Sequence, residues 1–326
     1  MSVTRGYKSV LIFGGSGFVG SHLVNSYLKA GIRVTVVDLV KPSFSGDYNF
    51  VSGDVRNQLN LHFEEFPELV INAAAVHRTP GHAAHEYYET NLLGALNIIQ
   101  WCEANAISNI VFLSSISIYG LGEKVITEKS KPNPVSDYGI SKLLAEKLFI
   151  NWASVPNTER RLIICRPAVI FGPGEKGNMT RLAEGIRRRY FFFPSNKPIV
   201  KASCYVEEVF SAINYVIALN ESISIFNLTF PQPYTVQEYA KVICAEGGYR
   251  FPFTINVTFF AKTLSRAPGA LGTLFKRISK LDFPTNVSSS YLKDNNYDWT
   301  FTLEAAFKRW WEISKFDLSA SKKEKS

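Results

Sequence analysis

The chain has 326 residues, of which 46% are hydrophobic and 20% are charged, and its formal net charge is +8. That length and composition suit a globular α/β protein, either one large domain or a large domain with a smaller lobe, and exclude a disordered or fibrous chain. The positive charge raises the question of an anionic partner. Nucleic acid is not expected as that partner, because the sequence contains no recognised nucleic-acid-binding module.

The sequence favours a cytoplasmic location. Its opening residues, Met1 to Arg5, lack an apolar signal run, and no stretch reaches the roughly 18 uninterrupted apolar residues that a membrane-spanning helix needs. The four cysteines are scattered without CxxC spacing, which predicts buried apolar side chains and no metal site; they are Cys102, Cys165, Cys204 and Cys244.

Short β-branched runs alternate with helical patterns through the first half of the chain, and this alternation predicts a Rossmann-type, doubly wound parallel sheet in the α/β class. The predicted strands are Val10 to Phe13, Arg33 to Asp38, Glu68 to Ala74, Ile107 to Ser114 and Arg161 to Arg166. The predicted helices between them include Phe18 to Ala30 and His85 to Ala104. In such a sheet the ligand crevice lies at the carboxyl ends of the strands.

The strict alternation weakens from about Gly172 onward, where prolines and glycines punctuate the sequence. We therefore predict a dinucleotide-binding domain over residues 1–171, a mainly substrate-binding α/β lobe over residues 172–315, and a basic, disordered tail over residues 316–326. Three later segments are predicted to form short helices over the open side of the sheet: Val206 to Leu219, Thr235 to Ala245, and an apolar and basic stretch from Phe259 to Leu281.

A glycine-rich segment follows the first predicted strand and opens the first predicted helix, which is the context of a dinucleotide-binding turn. Gly14 permits the tight turn, Gly17 lets the backbone approach a pyrophosphate, and Gly20 allows close packing of the helix. Asp38, at the end of the second strand, fits a carboxylate that binds a ribose 2′-hydroxyl and repels a 2′-phosphate. The pattern favours NAD over NADP, although Lys41 lies nearby.

Three further residues have two interpretations each. Asp54, in the segment Gly53 to Val55, either approaches the adenine or caps a helix. Asn91 is either a cofactor ligand or a buried polar brace, and His77 is either a cofactor contact or a loop histidine satisfied by the protein.

The pentad Tyr138-Gly139-Ile140-Ser141-Lys142 places a tyrosine and a lysine four residues apart, on one face of a predicted helix. A lysine ammonium favours the phenolate, and an oxidised nicotinamide adds to that effect, so the pKa of Tyr138 is expected to fall toward neutral pH. Ser115, directly after the predicted strand Ile107 to Ser114, is expected to hydrogen-bond the reacting oxygen. These three residues are the predicted catalytic set.

At these motifs the chain resembles the extended short-chain dehydrogenase/reductase superfamily, in its NAD-dependent nucleotide-sugar epimerase/dehydratase branch. The resemblance covers nearly the whole sequence. The matching segments are Gly14 to Gly20, Gly53 to Val55, Asn72 to Ala75, Asn91 to Gly94, Ser114 to Gly120, Tyr138 to Lys142, and Arg166-Pro167 to Gly172-Pro173.

The resemblance implies roles for individual residues. Cofactor contacts are implied for Gly14, Gly17, Phe18, Val19, Gly20, Asp38, Asp54, Val55, Ala73, Ala74, Ala75, His77, Asn91, Tyr138, Lys142 and Pro167. Substrate contacts are implied for Ser115, Ser117, Tyr138, Asn178, Arg181 and Lys201, of which the last three are the diphosphate ligands. A homodimer through the helices that hold Asn91 and Tyr138 is also implied.

The two positions after Ser115 distinguish activities within that branch, since members that eliminate water or decarboxylate usually carry acidic residues there. This chain has Ile116 and Ser117. The resemblance therefore implies an NAD-dependent 4-epimerase that oxidises C4 of a diphosphate-activated hexose transiently to a 4-keto intermediate. Two alternatives stay open: an NAD(P)H-dependent 4-ketosugar-nucleotide reductase with the same catalytic set, and a non-catalytic dinucleotide-sensing scaffold.

Other segments look similar to a smaller group that includes bacterial 4-epimerases of N-acetylglucosamine diphosphoundecaprenol, which act in surface-polysaccharide (O-antigen) assembly. The substrate is then either a UDP-sugar or a polyprenyl-diphosphate sugar. Val169 occupies a position where uridine-nucleotide epimerases often place a substrate-binding asparagine, which leaves nucleoside recognition open. Two basic and apolar runs, Arg187 to Phe193 and Phe259 to Leu281, either contact an anionic membrane surface peripherally or pack on the fold.

Overall fold

Parallel strands alternating with helices make up most of the computed structural model, which describes residues 6–77, 81–120, 122–255 and 284–316. The strands are β1 (Ser9–Phe13), β2 (Arg33–Asp38), β3 (Tyr48–Ser52), β4 (Leu69–Asn72), β5 (Asn109–Leu113), β6 (Gly122–Ile126), β7 (Arg161–Pro167), β8 (Val169–Phe171), β9 (Ser203–Tyr205), β10 (Ile223–Leu228) and β11 (Thr285–Val287). The helices are α1 (Phe18–Lys29), α2 (Ala84–Tyr87), α3 (Gly94–Ala104), α4 (Asp137–Ala153), α5 (Asn178–Arg187), α6 (Val206–Leu219), α7 (Val236–Gly247), α8 (Ser290–Asp294) and α9 (Leu303–Ser314).

Seven parallel strands form the central sheet in the order β10-β7-β5-β4-β1-β2-β3. The order of the strands reverses between β1 and β4, which places a crevice beyond the carboxyl ends of these two neighbours. Phe13 pairs with Asn72 at that edge, so the glycine turn after β1 and the loop after β4 lie side by side. The predicted fold class is confirmed.

The two faces of the sheet are covered by different helices, and the alternation of side chains along β1 explains why the strand is apolar throughout. Val10 and Ile12 pack in a cluster with residues of α1 and α6, whereas Leu11 and Phe13 pack in a cluster with residues of α3 and α4. All four side chains are at most 1% exposed. A strand buried on both faces needs such a continuous apolar run.

The later part of the chain forms a smaller lobe and also completes the central sheet. Two short parallel pairs, β8 with β9 and β6 with β11, lie outside that sheet. A third core joins α5, α7 and α9, and within it the rings of Phe171 and Phe307 stack with centroids 4.7 Å apart. The strand β10 and the helix α6 belong to the central sheet and its cover, so the sheet takes elements from both sides of residue 171. The predicted substrate role of residues 172–315 stays a prediction.

Most predicted elements are present with small shifts at their ends, and α6 has the predicted limits. The helix predicted from His85 to Ala104 differs, because π-helical turns over Tyr88–Leu93 interrupt it. All four cysteines are buried and free, as predicted. The stretch from Phe259 to Leu281 and the tail beyond residue 316 lie outside the described residues. No helix in the described ranges has the length and hydrophobicity to cross a bilayer.

Candidate active site

The glycine turn after β1 has a backbone that only glycine accommodates. Gly14 has φ +78°, in the left-handed region, and a β-carbon on Gly20 would lie 2.1 Å from the carbonyl oxygen of Gly14. Gly17 precedes α1 without a side-chain cap, and the first turn of α1 carries no acidic residue. The amide groups at the start of this helix therefore fit an anionic group such as a pyrophosphate.

The carboxylate of Asp38 lies beside this turn. Its Oδ2 accepts a hydrogen bond from the Ser16 amide at 3.0 Å, and its Oδ1 accepts one from the Leu39 amide at 2.7 Å. Each oxygen retains a lone pair that could accept a ribose hydroxyl. The placement at the end of β2, against the glycine turn, fits the predicted role in holding the adenosine half of a dinucleotide.

Asp54 stabilises a turn rather than a helix, so the predicted helix cap is not formed. Its Oδ1 accepts a hydrogen bond from the Arg56 amide at 3.0 Å, and its Oδ2 accepts one from Arg56 Nη2 at 2.7 Å. The hydrogen bonds from the Arg56 side chain lower the pKa of the Asp54 carboxyl below its ordinary value. The implied cofactor contact of Asp54 stays a prediction.

Asn91 lies in the π-helical turns and braces the loop that follows β4. Its Oδ1 accepts a hydrogen bond from the Val76 amide at 2.9 Å, and its Nδ2 donates to the Val76 carbonyl at 3.0 Å and to Ser141 Oγ at 2.9 Å. The side chain is 2% exposed. Of the two interpretations offered by the sequence, the polar brace accounts for these hydrogen bonds. The brace fixes the backbone of the loop that contains Ala73 to Ala75, next to the glycine turn.

The predicted catalytic residues come together where α4 lies against the carboxyl end of β5. Ser136 caps α4, since its Oγ accepts a hydrogen bond from the Gly139 amide at 3.1 Å. In the first turn of this helix, Tyr138 shares a side-chain hydrogen bond with Ser115. Lys142 follows four residues later and is 1% exposed. Its Nζ donates to the Leu113 carbonyl at 2.7 Å.

The expected fall in the pKa of Tyr138 is not found in the protein alone. Burial raises the pKa of its hydroxyl, and the hydrogen bond with Ser115 opposes that increase. Burial also lowers the pKa of Lys142 to about 7, with Glu146 opposing the decrease. The prediction considered the charge of the Lys142 ammonium but not its burial. The side chain is enclosed and donates to a backbone carbonyl, and the cost of desolvation dominates for both groups.

The sequence pattern of a known family, described as the NAD dependent epimerase/dehydratase family, matches residues 10–227, which is more than half of the chain. The chain belongs to this family. This match confirms the resemblance that the motifs indicate.

The relatives are consistent with that membership. The chain is 33% identical over 209 residues to the N-acetyl-α-D-glucosaminyl-diphospho-ditrans,octacis-undecaprenol 4-epimerase of Escherichia coli O157:H7, a match that spans 64% of this chain and 62% of that protein. The fold of this chain is similar to that of UDP-N-acetylglucosamine 4-epimerase from Bacillus cereus, with a TM-score of 0.72 at 22% identity over 92% of this chain and 96% of that one. It is also similar to MoeE5 in complex with UDP-glucose and NAD, with a TM-score of 0.72 at 21% identity over 93% of this chain and 97% of that one.

A buried polar network, which the sequence analysis missed, lies behind the predicted catalytic residues of this epimerase/dehydratase-family protein. Arg166 donates to both carboxylate oxygens of Glu146, from Nε at 2.9 Å and from Nη2 at 2.7 Å, and its Nη1 donates to Tyr119 Oη at 2.7 Å. Ser114 Oγ also donates to Glu146, and Tyr119 Oη donates to Asn227 Oδ1 on β10 at 2.9 Å. The sequence did contain a signal, because Glu146 follows Lys142 by four residues and so shares its helix face.

The predicted substrate residues fall into separate places. Ser117 lies beside the catalytic set, since its Oγ accepts a hydrogen bond from Ser115 Oγ at 3.1 Å. Asn178 and Arg181 lie together in the first turn of α5, with Arg181 Nη1 donating to Asn178 Oδ1 at 3.4 Å. Lys201 is half-buried and precedes β9. The diphosphate role of these last three residues stays a prediction.

The remaining predicted cofactor residues lie in three places. Phe18 and Val19 open α1 and are half-buried, Val55 and Pro167 are buried, and His77 is exposed in the loop after β4. Their contacts with a cofactor stay predictions.

Proposed function

We propose that this protein is an NAD-dependent sugar 4-epimerase that acts on a diphosphate-activated hexose. The observation that carries this proposal is the meeting of Ser115, Tyr138 and Lys142 at the carboxyl end of β5, with Ile116 and Ser117 where an eliminating enzyme would need acids. A set with one proton-transferring phenol, and with no acidic residue at the two positions after Ser115, suits reversible oxidation at a single carbinol.

The residues around the glycine turn fit NAD. The uncapped start of α1 would bind the pyrophosphate, and Asp38 would bind the hydroxyls of the adenosine ribose. When bound, NAD would accept hydride from C4 of the sugar and return it to the opposite face. The fit supports NAD over NADP, because the Asp38 carboxylate would repel a 2′-phosphate.

Tyr138 removes the proton of the C4 hydroxyl as the carbinol becomes a ketone, and it later returns a proton to the same oxygen. Its phenol needs help to ionise, since burial alone raises its pKa. A protonated Lys142 and the positive charge of oxidised nicotinamide would supply that help. Ser115 orients the reacting oxygen through its own hydroxyl. Because one carbon is oxidised and then reduced, the overall reaction leaves the sugar with an inverted C4 and no net redox change.

The activated hexose is either a UDP-sugar, such as UDP-glucose or UDP-N-acetylglucosamine, or a polyprenyl-diphosphate-linked N-acetylglucosamine. Asn178, Arg181 and Lys201 are the proposed ligands of the diphosphate in both cases. The similarity to the Escherichia coli relative supports the lipid-linked sugar and a place in surface-polysaccharide synthesis. With that carrier the protein would act in the cytoplasm, in peripheral contact with the cytoplasmic face of the membrane.

We also propose a homodimer through the helices that contain Asn91 and Tyr138. Two apolar side chains in this region face solvent in the single chain: Leu93 is 41% exposed and Leu96 is 37% exposed. Burying them against a second copy would remove apolar surface from water. Light scattering should give the mass of a dimer for the wild type and of a monomer for Leu96→Glu. Val155→Glu, at a position 42% exposed beyond the end of α4, is the matched control and should stay dimeric.

The experiment that tests the proposed activity uses purified protein without added cofactor. It is incubated with UDP-N-acetylglucosamine and separately with polyprenyl-diphosphate N-acetylglucosamine, and the C4 configuration of the products is determined. Interconversion of C4 epimers of either substrate, with no net change in nicotinamide absorbance, supports the epimerase. Stoichiometric consumption of NADPH with a 4-ketosugar would instead identify a reductase.

A variant separates catalysis from a merely structural role. Tyr138→Phe should abolish interconversion while retaining the fold, because the ring stays and only the proton-transferring hydroxyl is lost. Tyr48→Phe is the matched control: it removes a hydroxyl that donates to the Phe44 carbonyl beside β3, and it should keep full activity. A Tyr138→Phe protein that performs its cellular role unchanged would indicate a non-catalytic scaffold.

A further inference from the structure

Large apolar side chains are exposed on two paired segments of the smaller lobe, the run that leads to Phe193 and the segment Phe251 to Ile255. Tyr190 is 62% exposed, Phe253 is 61% exposed, Phe251 is 44% exposed and Ile255 is 42% exposed. Phe192 is half-buried and stacks on Phe253, with ring centroids 6.2 Å apart. We call these five residues the aromatic corner. A cluster of large apolar side chains in water is costly and marks an interaction surface more often than scattered single residues do.

Backbone hydrogen bonds join the two segments of the aromatic corner. The Phe193 amide donates to the Phe253 carbonyl at 2.9 Å, and the Ile255 amide donates to the Phe193 carbonyl at 2.9 Å. Phe193 itself is 3% exposed and belongs to the core of the lobe. The ladder therefore joins both segments at Phe193, and the neighbouring apolar residues face solvent.

Basic residues border the aromatic corner. Arg187 ends α5, and Arg188 and Arg189 follow it directly before Tyr190; all three are exposed. Arg187 Nη2 pairs with Glu184 at 2.7 Å, and Arg188 pairs with the same carboxylate. Residues 184–189 contain three arginines and one carboxylate, so this segment carries a net positive charge that complements an anionic surface.

We propose that the aromatic corner docks this protein on the surface of an anionic phospholipid bilayer. Aromatic rings prefer the depth of the lipid headgroups, where a ring is shielded from water while polar groups remain hydrated. The bordering arginines would bind the lipid phosphates, for which the planar guanidinium is well suited. Apolar surface and positive charge on one side of the molecule are the two components of peripheral membrane binding.

The position of α5 relates this surface to the proposed substrate site, and this step rests on the proposed function. Asn178 and Arg181 occupy the first turn of α5, and Arg187 is its last residue. A helix of ten residues is about 15 Å long. A diphosphate held at the start of α5 would thus lie within one helix length of the docked surface, which suits a substrate whose lipid carrier stays in the bilayer.

Vesicle cosedimentation tests the docking surface without reference to catalysis. The wild-type protein should bind vesicles of phosphatidylglycerol and phosphatidylcholine at least about tenfold more tightly than vesicles of phosphatidylcholine alone. The double variant Tyr190→Ser with Phe253→Ser should lose about tenfold or more of that affinity. Phe66→Ser is the matched control, since Phe66 is aromatic and 42% exposed between β3 and β4, and it should bind like the wild type.

Equal binding by the wild type and the double variant, or no binding of the wild type to anionic vesicles, would overturn the proposal. A double variant whose mass by light scattering differs from that of the wild type would also overturn it, because the corner would then join two copies of the chain. Circular dichroism identifies any variant that fails to fold, and Arg188→Gln with Arg189→Gln then serves as the second test, with the same expected loss for anionic vesicles.

Activity distinguishes failure of this inference from failure of the proposed function. The double variant should convert UDP-N-acetylglucosamine, if that substrate is used, at the wild-type rate, and should lose about tenfold of its rate toward a polyprenyl-diphosphate sugar in vesicles. Loss of vesicle binding with an unchanged rate toward the vesicle-borne sugar would overturn the link to the substrate site. Vesicle binding without any epimerisation would refute the proposed function and leave the docking surface standing.

Discussion

Replacing Arg166 by methionine is expected to destabilise the protein by about 3–5 kcal/mol, because it leaves a buried carboxylate without its counter-charge. Arg166 is 5% exposed and Glu146 is 1% exposed. The substitution removes both hydrogen bonds from the guanidinium to Glu146 and the one to Tyr119. Ser114 alone would still donate to the carboxylate among the partners described.

Urea denaturation followed by circular dichroism measures this effect. With a slope of about 3 kcal/mol per molar urea, the midpoint should fall by about 1 M or more. Arg33→Met is the matched control, since Arg33 pairs with Glu65 at 2.5 Å on the surface, where the side chains are 65% and 70% exposed. Loss of an exposed pair should cost under about 1 kcal/mol.

A double variant tests whether the unpaired charge of Glu146 causes the loss of stability. Adding Glu146→Gln to Arg166→Met removes the buried charge together with its partner, so the double variant should be more stable than Arg166→Met alone. An Arg166→Met protein that unfolds at the same urea concentration as Arg33→Met would refute the reasoning, as would a double variant that is less stable than the single one.

Three further predictions concern the cofactor turn and the catalytic set. The wild type should copurify with NAD, and Gly20→Ala should lose it because the new β-carbon would lie 2.1 Å from a carbonyl oxygen. Gly122→Ala has open space and should retain the cofactor, which is quantified after gel filtration. Burial lowers the pKa of Lys142 to about 7, so between about pH 7 and 10 the unfolded chain binds this proton more tightly than the folded one. The cofactor-free wild type should therefore gain stability relative to Lys142→Met as pH rises through that window. Urea midpoints are measured for both proteins at pH 7 and pH 9. An equal change of midpoint in the two proteins would contradict the predicted gain in stability. Ser115→Ala should lower kcat by about 10²-fold at unchanged fold, which steady-state kinetics on either sugar carrier would measure.

Local sequence patterns predict the part of the site that depends on neighbours in the chain. The turn around Gly14 is predictable because its conformation and its crowding by Gly20 arise within seven residues. Tyr138 and Lys142 share a helix face for the same reason. Parallel topology then brings Ser115 to them, since the carboxyl ends of neighbouring strands lie at one edge of the sheet.

Contacts between distant segments explain what the sequence analysis missed. Arg166 and Glu146 are 20 residues apart and meet only because α4 packs against β7. The π-helical turns around Asn91 have no local signal, since the side chain is satisfied by Val76 and by Ser141 on another helix. The fall expected for the pKa of Tyr138 was wrong for the protein alone because burial, which local spacing does not report, dominates.

Pairing across the chain also produces the aromatic corner. The run that ends at Phe193 is visible in the sequence as basic and aromatic, but its partner segment from Phe251 to Ile255 joins it through a backbone ladder that no local pattern indicates.

The most direct test of transient oxidation at C4 follows an isotope. A substrate carrying deuterium at C4 is incubated with the purified protein in ordinary water, without added cofactor, and both epimers are analysed by mass spectrometry and NMR. The account predicts that each epimer keeps its deuterium at C4, since the same hydrogen leaves and returns within one active site. Loss of the deuterium to solvent would contradict the account, because the configuration would then be inverted by proton exchange at carbon.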